Sequence, residues 1–342
     1  MRYIGIDVSK ATLMVAYPQD NKKYKTREFQ NTSNGIHTLI ATLQADDHCV
    51  MEATGNYSYL LLYLLDKAGI CTSMENPLKV KNFARSMLTV TKTDKADAKL
   101  LSLYGERMKP EPYKIPSEAL LLLKQKRAVL RQFKKQLLAN NNLKKALQAM
   151  PEQDHKAIEA IEKVTITLEE QIKAVEKELN TLTQAEFNQQ MSRLTTIKGV
   201  GTTLAAALII TTGGFTYFDN AKQVSRYLGL CPTYQQSGTS IHVKGHINRN
   251  GDPYLRAQLY TASWSMIKYN AACRELFTRL KERGKSGKLA LVAVMNKSIR
   301  QCFAVVKHNT DYQDGFVSRK PQPLPAGSAC RQGSVGTLPT RQ

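Results

Sequence analysis

The pattern of hydrophobic and polar positions in residues 1–110 predicts a domain built from both strands and helices. Three strand patterns follow one another, and helical and strand patterns then alternate up to a final helix. The segments with strand patterns are RYIGIDVS, TLMVAYP, KYKTREFQ, HCVMEATG and ICTSMENP, and NGIHTLIATLQ and YSYLLLYLLDKAG have helical patterns. Because strands that alternate with helices form sheets covered by helices, we expect an α/β domain with a mixed sheet.

Residues 117–190 have a purely helical pattern. From Ile158 to Leu182, apolar residues recur at alternating spacings of three and four, and Thr165 fills the one apolar gap. This heptad repeat is typical of a coiled coil. We therefore expect a helical arm after the α/β domain.

Charge divides the arm into two helices on either side of Pro151. Residues 117–150 hold eight Lys and Arg and one acid, whereas residues 152–190 hold four Lys and nine acids. Two antiparallel helices of opposite charge could pair within the chain or across a dimer. The basic helix is either solvated or in contact with a phosphate backbone.

The part of the chain after the arm is the most basic. Residues 191–309 contain 17 Lys and Arg against four acids, which makes them the best candidate for a polyanion contact. Beyond them the chain becomes rich in Pro, Gly and Ser, a composition typical of disorder. The sequence thus predicts an α/β domain (1–110), a coiled-coil arm (117–190), a mostly α-helical C-terminal domain (191–311) and a disordered tail (312–342).

Overall composition indicates a nucleic-acid partner. The formal net charge is +21, from 49 Lys and Arg against 28 Asp and Glu in 342 residues. Such an excess points to nucleic acid first and a membrane surface second. We expect no membrane span, because no run of about 18 apolar residues appears. Six cysteines without a CxxC pair are typical of reduced thiols in a cytosol.

Four carboxylates in the first domain are candidates for a metal site. Asp7 and Glu52 each end an apolar strand pattern, and Asp94 and Asp97 lie three apart at a predicted helix start. Strand ends of an open α/β sheet are where sites are built, and clustered carboxylates favour hard cations such as Mg²⁺ or Mn²⁺. The alternative is structural: Thr93 would cap the helix, and acids in its first turn would favour the helix dipole.

Two segments of the C-terminal region are candidates for contacts with phosphate. The segment TTIKGVGTTLAAALIITTGG, which contains Lys198, suits a helix–hairpin–helix element that binds phosphate through backbone N–H groups. In the second segment Ser237 begins a hydroxyl-rich loop, followed by Lys244, Arg249 and Arg256. A serine among cations can act as a nucleophile toward phosphate, although such a segment is more often only a loop.

His242 and His246 have the spacing of a helical zinc pair. They flank VKG between two glycine-containing turns, where a helix is not expected. We therefore do not expect a zinc site there.

Several motifs together resemble a known family. YIGIDVSK, MEATGNY, KTDKADA, TIKGVG, GLCPTYQQSG and GHINRNGDPYLR occur in order across roughly residues 1–310. They resemble the DEDD-type insertion-sequence transposases, the group that includes the Piv DNA invertase and the recombinases guided by a bridge RNA. The chain departs from the usual pattern at Lys198, where proline is common, and the tail has no counterpart in the family.

The resemblance implies a fold and a mechanism. It implies a RuvC-like domain of RNase H fold, a coiled-coil arm and a transposase domain with a helix–hairpin–helix element. Asp7, Glu52, Asp94 and Asp97 would bind Mg²⁺ or Mn²⁺, and Ser237 would form a phosphoserine link to DNA. Lys198, Lys244, Arg249 and Arg256 would contact nucleic acid.

The resemblance also implies partners and a location. The partners would be donor and target DNA, a noncoding bridge RNA, and further copies of the chain in a dimer or tetramer. The location would be the cytoplasm of a bacterium, at the nucleoid. Two other functions stay open: a RuvC-like junction-resolving nuclease with water as the nucleophile, and a non-catalytic nucleic-acid-binding protein.

Overall fold

The structure is a computed structural model that describes residues 2–20, 23–88, 93–237, 241–248 and 251–315, with the backbone alone for 233–237 and 241–246. The chain divides into two compact units, one ending at Ser117 and the other beginning at Glu118. The first unit is an α/β domain and the second is mostly helical.

A five-stranded mixed sheet forms the centre of the first unit. Its order is β3-β2-β1-β4-β5, and the first three strands of the chain pair antiparallel while the last two extend the sheet parallel to β1. This order, in which the first strand is central, agrees with the α/β domain with a mixed sheet that the sequence predicts. The strands are β1 (Tyr3–Val8), β2 (Thr12–Pro18), β3 (Tyr24–Gln30), β4 (His48–Glu52) and β5 (Cys71–Glu75).

Four helices accompany the sheet in the described part of this unit. They are α1 (Ser33–Ile40), α2 (Tyr59–Lys67), α3 (Pro77–Ser86) and α4 (Asp94–Met108), and a short 3-10 turn at Gly55–Ser58 precedes α2. All five predicted strands are confirmed. After β5 the sequence analysis expects one helix and the structure has two, because Asn76 caps α3 by accepting a hydrogen bond from the Leu78 amide and Pro77 suits its first turn.

The sheet is buried on both faces. One face packs on α1 and α2, where Ile4 and Ile6 of β1 contact buried residues such as Leu39 and Leu61. The other face packs on α4, where Val50 of β4 lies in a separate apolar cluster. Both sides of the central strands are therefore apolar, as expected for parallel strands covered by helices.

Gly5 allows α4 to lie very close to β1. A Cβ atom at this position would lie 2.0 Å from the carbonyl oxygen of Ala98 and 2.4 Å from the amide nitrogen of Ser102. Both are backbone atoms of α4, so neither can turn away. The glycine thus sets the distance between the helix that carries Asp94 and Asp97 and the strand that carries Asp7.

Gly5→Ala is expected to destabilise the protein by about 1–3 kcal/mol or more, because the added methyl group must push α4 away from the sheet. Thermal unfolding measures this loss of stability. Gly287→Ala is the matched control, because nothing lies within 4 Å of the position that its added methyl group would take. Equal melting temperatures for the two variants would contradict the close approach.

Ten elements make up the second unit within the described residues. Its helices are α5 (Glu118–Gln148), α6 (His155–Glu186), α7 (Asn188–Thr195), α8 (Thr202–Thr212), α9 (Ala221–Tyr227), α10 (Pro253–Tyr269), α11 (Ala271–Glu282) and α12 (Gly287–Lys307). Between α9 and α10 a two-stranded antiparallel hairpin joins β6 (Pro232–Ser237) to β7 (Ile241–Ile247).

The two long helices α5 and α6 pair antiparallel within the chain. Three ion pairs join them: Lys126–Glu178 at 2.5 Å, Lys134–Glu176 at 2.5 Å and Lys144–Glu162 at 2.6 Å. Because these pairs are partly exposed, each contributes at most about 1 kcal/mol. They therefore select the partner and direction of each helix more than they stabilise the fold.

The buried apolar side chains of α6 are at its heptad positions. Ile158, Ile172 and Leu179 are buried, whereas the side chain of Ile166, outside the heptad, is exposed. The hydroxyl oxygen of Thr165 is buried without a hydrogen-bond partner within the described part of the chain. Regular coiled-coil geometry along the pair stays a prediction.

The base of the helical pair shares a core with the rest of the second unit. Leu130 of α5 and Leu179 of α6 lie in the same apolar cluster as α8, which is buried on nearly all sides, and as α12. The arm and the region after residue 190, which the sequence analysis separates, are thus packed together at this end.

α12 is long and apolar enough to cross a membrane by length and composition, with a mean hydropathy of 1.4. Half of that stretch is buried inside the second unit, and Val294, Ile299 and Cys302 belong to its core. A core helix passes the same test, so α12 is weak evidence for a membrane span.

Candidate active site

Asp7 and Glu52 lie side by side at one edge of the sheet. β1 and β4 are parallel, and Ile6 pairs with Met51. Asp7 and Glu52 are each one position further along their strands. Because the strands run in the same direction, both carboxylates come to the edge formed by the carboxyl ends.

The alternation of side chains places both carboxylates on the face covered by α4. Gly5 is the point of closest approach between β1 and α4, and Val50 of β4 packs against α4 residues that include Leu101. Side chains two residues apart on a strand point to the same face. Asp7 and Glu52 follow Gly5 and Val50 by two positions, so they point to the side of α4.

The direction of α4 brings its first turn to the same corner. Ala98 lies against Gly5, and one turn later the Ser102 hydroxyl donates to the Tyr3 carbonyl at 2.5 Å. The helix therefore runs opposite to β1, and its beginning lies toward the carboxyl end of that strand. Asp94 and Asp97 are in this first turn.

The start of α4 has the predicted cap. The Thr93 hydroxyl accepts a hydrogen bond from the Ala96 amide at 3.2 Å. Asp94 and Asp97 also lie where carboxylates favour the helix dipole, so the structural interpretation accounts for part of their placement. It does not account for Asp7 and Glu52 at the same corner.

The donor atoms at this corner suit Mg²⁺ or Mn²⁺, since all four side chains offer carboxylate oxygens. The backbone brings the four residues together, but no three His, Cys, Asp or Glu side chains among the described residues lie close enough to hold an ion. Asp7, Glu52 and Asp97 each have a hydrogen-bond or electrostatic interaction in the structure. A metal at this corner is therefore supported by the type of the four residues and by the positions of their backbones.

Ser237 is in a strand, and the expectation of a loop at this residue is wrong. It is the last residue of β6 and pairs with Ile241 of β7. Its side chain and that of Lys244 lie outside the described residues, as does Arg249 altogether. Their predicted roles stay predictions.

His242 and His246 are both on β7. On a strand, residues four positions apart are separated by about 13 Å. On a helix the same spacing covers about one turn, which is less than half of that distance. The helical zinc pair is thus excluded by the backbone, in agreement with the sequence analysis.

Lys198 lies in the turn between α7 and α8 and is paired. Its ammonium contacts the Asp314 carboxylate at 2.5 Å, and the hydrogen bond lowers the pKa of that carboxyl below its ordinary value. Gly199, which follows, has φ 94° and lies against Met266 of α10. Whether this turn acts as a helix–hairpin–helix element stays a prediction.

Arg256 is partly buried and donates to the Leu228 carbonyl at 3.3 Å. This bond ties α10 to the turn after α9, where Gly229 leaves room for the guanidinium. Arg256 therefore has a structural contact in addition to its predicted role at phosphate.

Two family models match the chain in the two units just described. A DEDD model of the IS110 type, described as "Transposase", matches residues 4–151 and so includes all four carboxylates. A model described as "Transposase IS116/IS110/IS902 family" matches residues 191–278 and so includes Ser237.

Individual relatives agree with these models. The pilin gene-inverting protein of Moraxella bovis is 30% identical over 323 residues, which is 91% of this chain and 97% of that protein. An uncharacterized 43.6 kDa protein of insertion element IS110 from Streptomyces coelicolor is 33% identical over 144 residues, 42% of this chain and 35% of that protein.

A solved structure of RuvC from Thermus thermophilus aligns with 33% of this chain and 100% of its own, at 16% identity and a TM-score of 0.25. That level of similarity does not by itself establish a shared fold. The Moraxella relative, which matches this chain over nearly its whole length, and the two family models do establish the family: the chain belongs to the IS110 family of transposases.

Proposed function

We propose that this protein is a DNA recombinase that cuts and rejoins DNA through an acidic tetrad, Asp7, Glu52, Asp94 and Asp97, and a covalent bond to Ser237. The observation that supports the proposal is the arrangement of β1, β4 and α4: the carboxyl ends of the two strands and the first turn of the helix, which carry these four residues, lie toward the same end of the sheet. A structural role for each acid would not require their common location.

The tetrad is proposed to hold Mg²⁺ or Mn²⁺ against the scissile phosphate. When bound, such an ion would stabilise the charge that develops on the phosphate oxygens. The carboxylates would position the ion and neutralise its charge. Without it, four negative side chains at one corner would repel DNA.

Ser237 is proposed as the nucleophile. Its hydroxyl oxygen forms a bond to phosphorus, and the bond from phosphorus to the leaving strand oxygen breaks. The hydroxyl proton is given up, and the leaving oxygen takes up a proton. The energy of the phosphodiester is kept in the phosphoserine bond, so the strands can be rejoined without a nucleotide cofactor. Activation by cations would be needed, and Lys244 and Arg249, which follow Ser237 in the sequence, are the proposed ones.

The proposed partners are donor DNA, target DNA and a noncoding bridge RNA. The surplus of Lys and Arg suits two kinds of nucleic acid, and base pairing with the RNA would select sequences while the protein contacts the backbone. The relative from Moraxella bovis is named for inverting a gene, which supports action on DNA.

The proposal includes an assembly and a location. In the family the metal domain of one subunit works with the serine domain of another, so we propose a dimer or tetramer. The DNA substrate implies the bacterial cytoplasm, at the nucleoid.

A junction-resolving nuclease is the second candidate function. The same four carboxylates at the same corner favour it equally, and it would use water in place of Ser237. A non-catalytic binding protein is less consistent with the tetrad, because it needs no metal.

Recombination is expected to require both a divalent ion and the RNA. Purified protein, donor and target duplexes carrying the element ends, and RNA transcribed from the neighbouring noncoding region should give recombinant product in Mg²⁺. Chelation with EDTA should abolish cleavage while DNA binding persists. An RNA of scrambled sequence is the matched control for the guide. If product forms equally with the scrambled RNA, the proposal that an RNA guides the reaction is wrong. If cleavage continues in EDTA, the proposal that a divalent ion is required is wrong.

A further inference from the structure

A basic cavity of about 450 Å³ opens in the second unit, where α5 passes the start of α10. α5 contributes Lys124, Arg127 and Arg131, which lie on one face of the helix because they are three, four and seven positions apart. Among the described residues of the lining, Asp252 at the start of α10 supplies the single carboxylate, and Thr211 of α8 and Tyr227 of α9 add polar groups.

The carboxylate of Asp252 is fully used. One oxygen caps α10 by accepting from the Tyr254 amide at 2.9 Å. The other lies 3.0 Å from the Arg127 guanidinium and 3.6 Å from that of Arg131. A single carboxylate thus pairs with two guanidinium groups and caps a helix.

The two arginines differ in burial and in how tightly their guanidinium groups are held by partners. Arg127 is buried, with 12% of its side chain exposed, and it also donates to the Thr211 hydroxyl at 2.5 Å. Arg131 has 42% of its side chain exposed and lies over the Tyr254 ring. Arg127 is therefore a fixed part of the wall, whereas Arg131 presents donors to the opening.

Lys124 adds a third positive charge without an acceptor. Its ammonium makes no hydrogen bond or ion pair with any residue that the structure describes. It is half-buried, and burial lowers the pKa of the ammonium below its ordinary value. A cation in such a place is unfavourable unless a negative group joins it.

We propose that this cavity binds a phosphodiester group of a nucleic-acid strand, held by Lys124 and Arg131 against the wall formed by Arg127. Three cations face one carboxylate, so the cavity lacks negative charge, and an open arginine fork beside a lysine suits phosphate oxygens. The cavity has the volume of a small-molecule site, roughly 300–1,000 Å³, and three cations lie in its lining beside apolar residues such as Ile210 and Pro253. The choice of nucleic acid as the polymer rests on the proposed function.

The test replaces Lys124 with methionine, which keeps the length of the side chain and removes its charge. Near 0.15 M salt, affinity for a fluorescent 30-base-pair duplex of random sequence, or for an RNA strand of equal length, should fall about fivefold. The slope of log affinity against log salt should decrease in magnitude by about 0.9 for the duplex and by about 0.7 for the RNA strand. Adding Arg131→Met should decrease it by about the same amount again.

A stability measurement separates binding from a structural role. Because Lys124 is a half-buried charge without a partner among the residues that the structure describes, Lys124→Met should leave the melting temperature of the free protein unchanged or raise it. Lys135→Met is the matched control: this lysine is exposed on the same helix outside the cavity, and its loss should leave the affinity and the salt slope nearly unchanged.

The DNA and RNA measurements distinguish the two sources of the phosphodiester, and a loss with either one supports the proposal. The proposal is overturned if Lys124→Met binds both DNA and RNA like the wild type. It is also overturned if the variant binds both normally and loses only the rise in melting temperature that inorganic phosphate gives the wild type. A lower melting temperature with unchanged binding would make Lys124 structural and also overturn it. Because binding is measured without cleavage, failure here leaves the proposed catalytic function intact.

Discussion

Asp7→Asn is expected to abolish strand cleavage while the protein stays folded. The amide has almost the shape of the carboxylate but lacks its charge, so it cannot neutralise a bound divalent ion. The loss should exceed the roughly 10- to 100-fold cost of removing a partner that only supports a metal ligand. Glu52→Gln, and alanine at Asp94 or Asp97, should have the same effect, because the four act as one site. Cleavage of a labelled DNA duplex in Mg²⁺ measures it.

A second measurement on Asp7→Asn does not depend on activity. Mg²⁺ should raise the melting temperature of the wild type, because an ion that binds only the folded state stabilises it. The variant should show a smaller rise. Asp66→Asn, an exposed carboxylate on α2 of the same unit, is the control and should behave like the wild type. If two tetrad variants recombine DNA at near-normal rates in Mg²⁺, the site is assigned to the wrong residues.

Ser237→Ala is expected to eliminate a covalent adduct between protein and DNA. The wild type, incubated with its RNA and a labelled DNA site and then denatured, should migrate with DNA attached. Without the hydroxyl no phosphoserine bond can form, and loss of a nucleophile in other enzymes lowers the rate on the order of 10⁶-fold. DNA binding should be retained, since one small hydroxyl is removed.

Neighbouring hydroxyls provide the controls for this assignment. Thr239→Val and Ser240→Ala remove hydroxyl groups two and three positions further along the sequence, at residues outside the described part of the chain. Both variants should still form the adduct. If Ser237→Ala forms it as well, another residue is the nucleophile. A wild type that cuts DNA without ever forming an adduct would favour the junction-resolving nuclease, in which water attacks the phosphate.

Local patterns were sufficient for most elements of the first unit. The strands β1, β2, β4 and β5 occur where apolar runs end at polar or turn residues, and α4 begins where Thr93 can cap it. These signals lie within a few residues of one another, so they can be recognised without knowledge of the fold. The hairpin β6–β7 was not predicted, because its Gly-rich and hydroxyl-rich residues are also typical of loops.

The placement of the candidate active site depends on contacts between distant parts of the chain. Asp7 and Glu52 were recognisable as residues at strand ends. That they are neighbours depends on the parallel register of β1 and β4, and the position of α4 depends on the missing side chain at Gly5. Register and helix approach are set by packing, which no single segment contains.

The sequence by itself determined the types of most elements of the first unit, the opposite charges of α5 and α6, and the candidate residues for the chemistry. Only the tertiary structure decided that these helices pair within the chain and that Lys124 and Arg131 meet Asp252 in one cavity. More than 100 residues separate Arg131 from Asp252. Hydrophobic periodicity and capping act over a few residues. The contact between Arg131 and Asp252 instead follows from the burial of one core that is shared by distant parts of the chain.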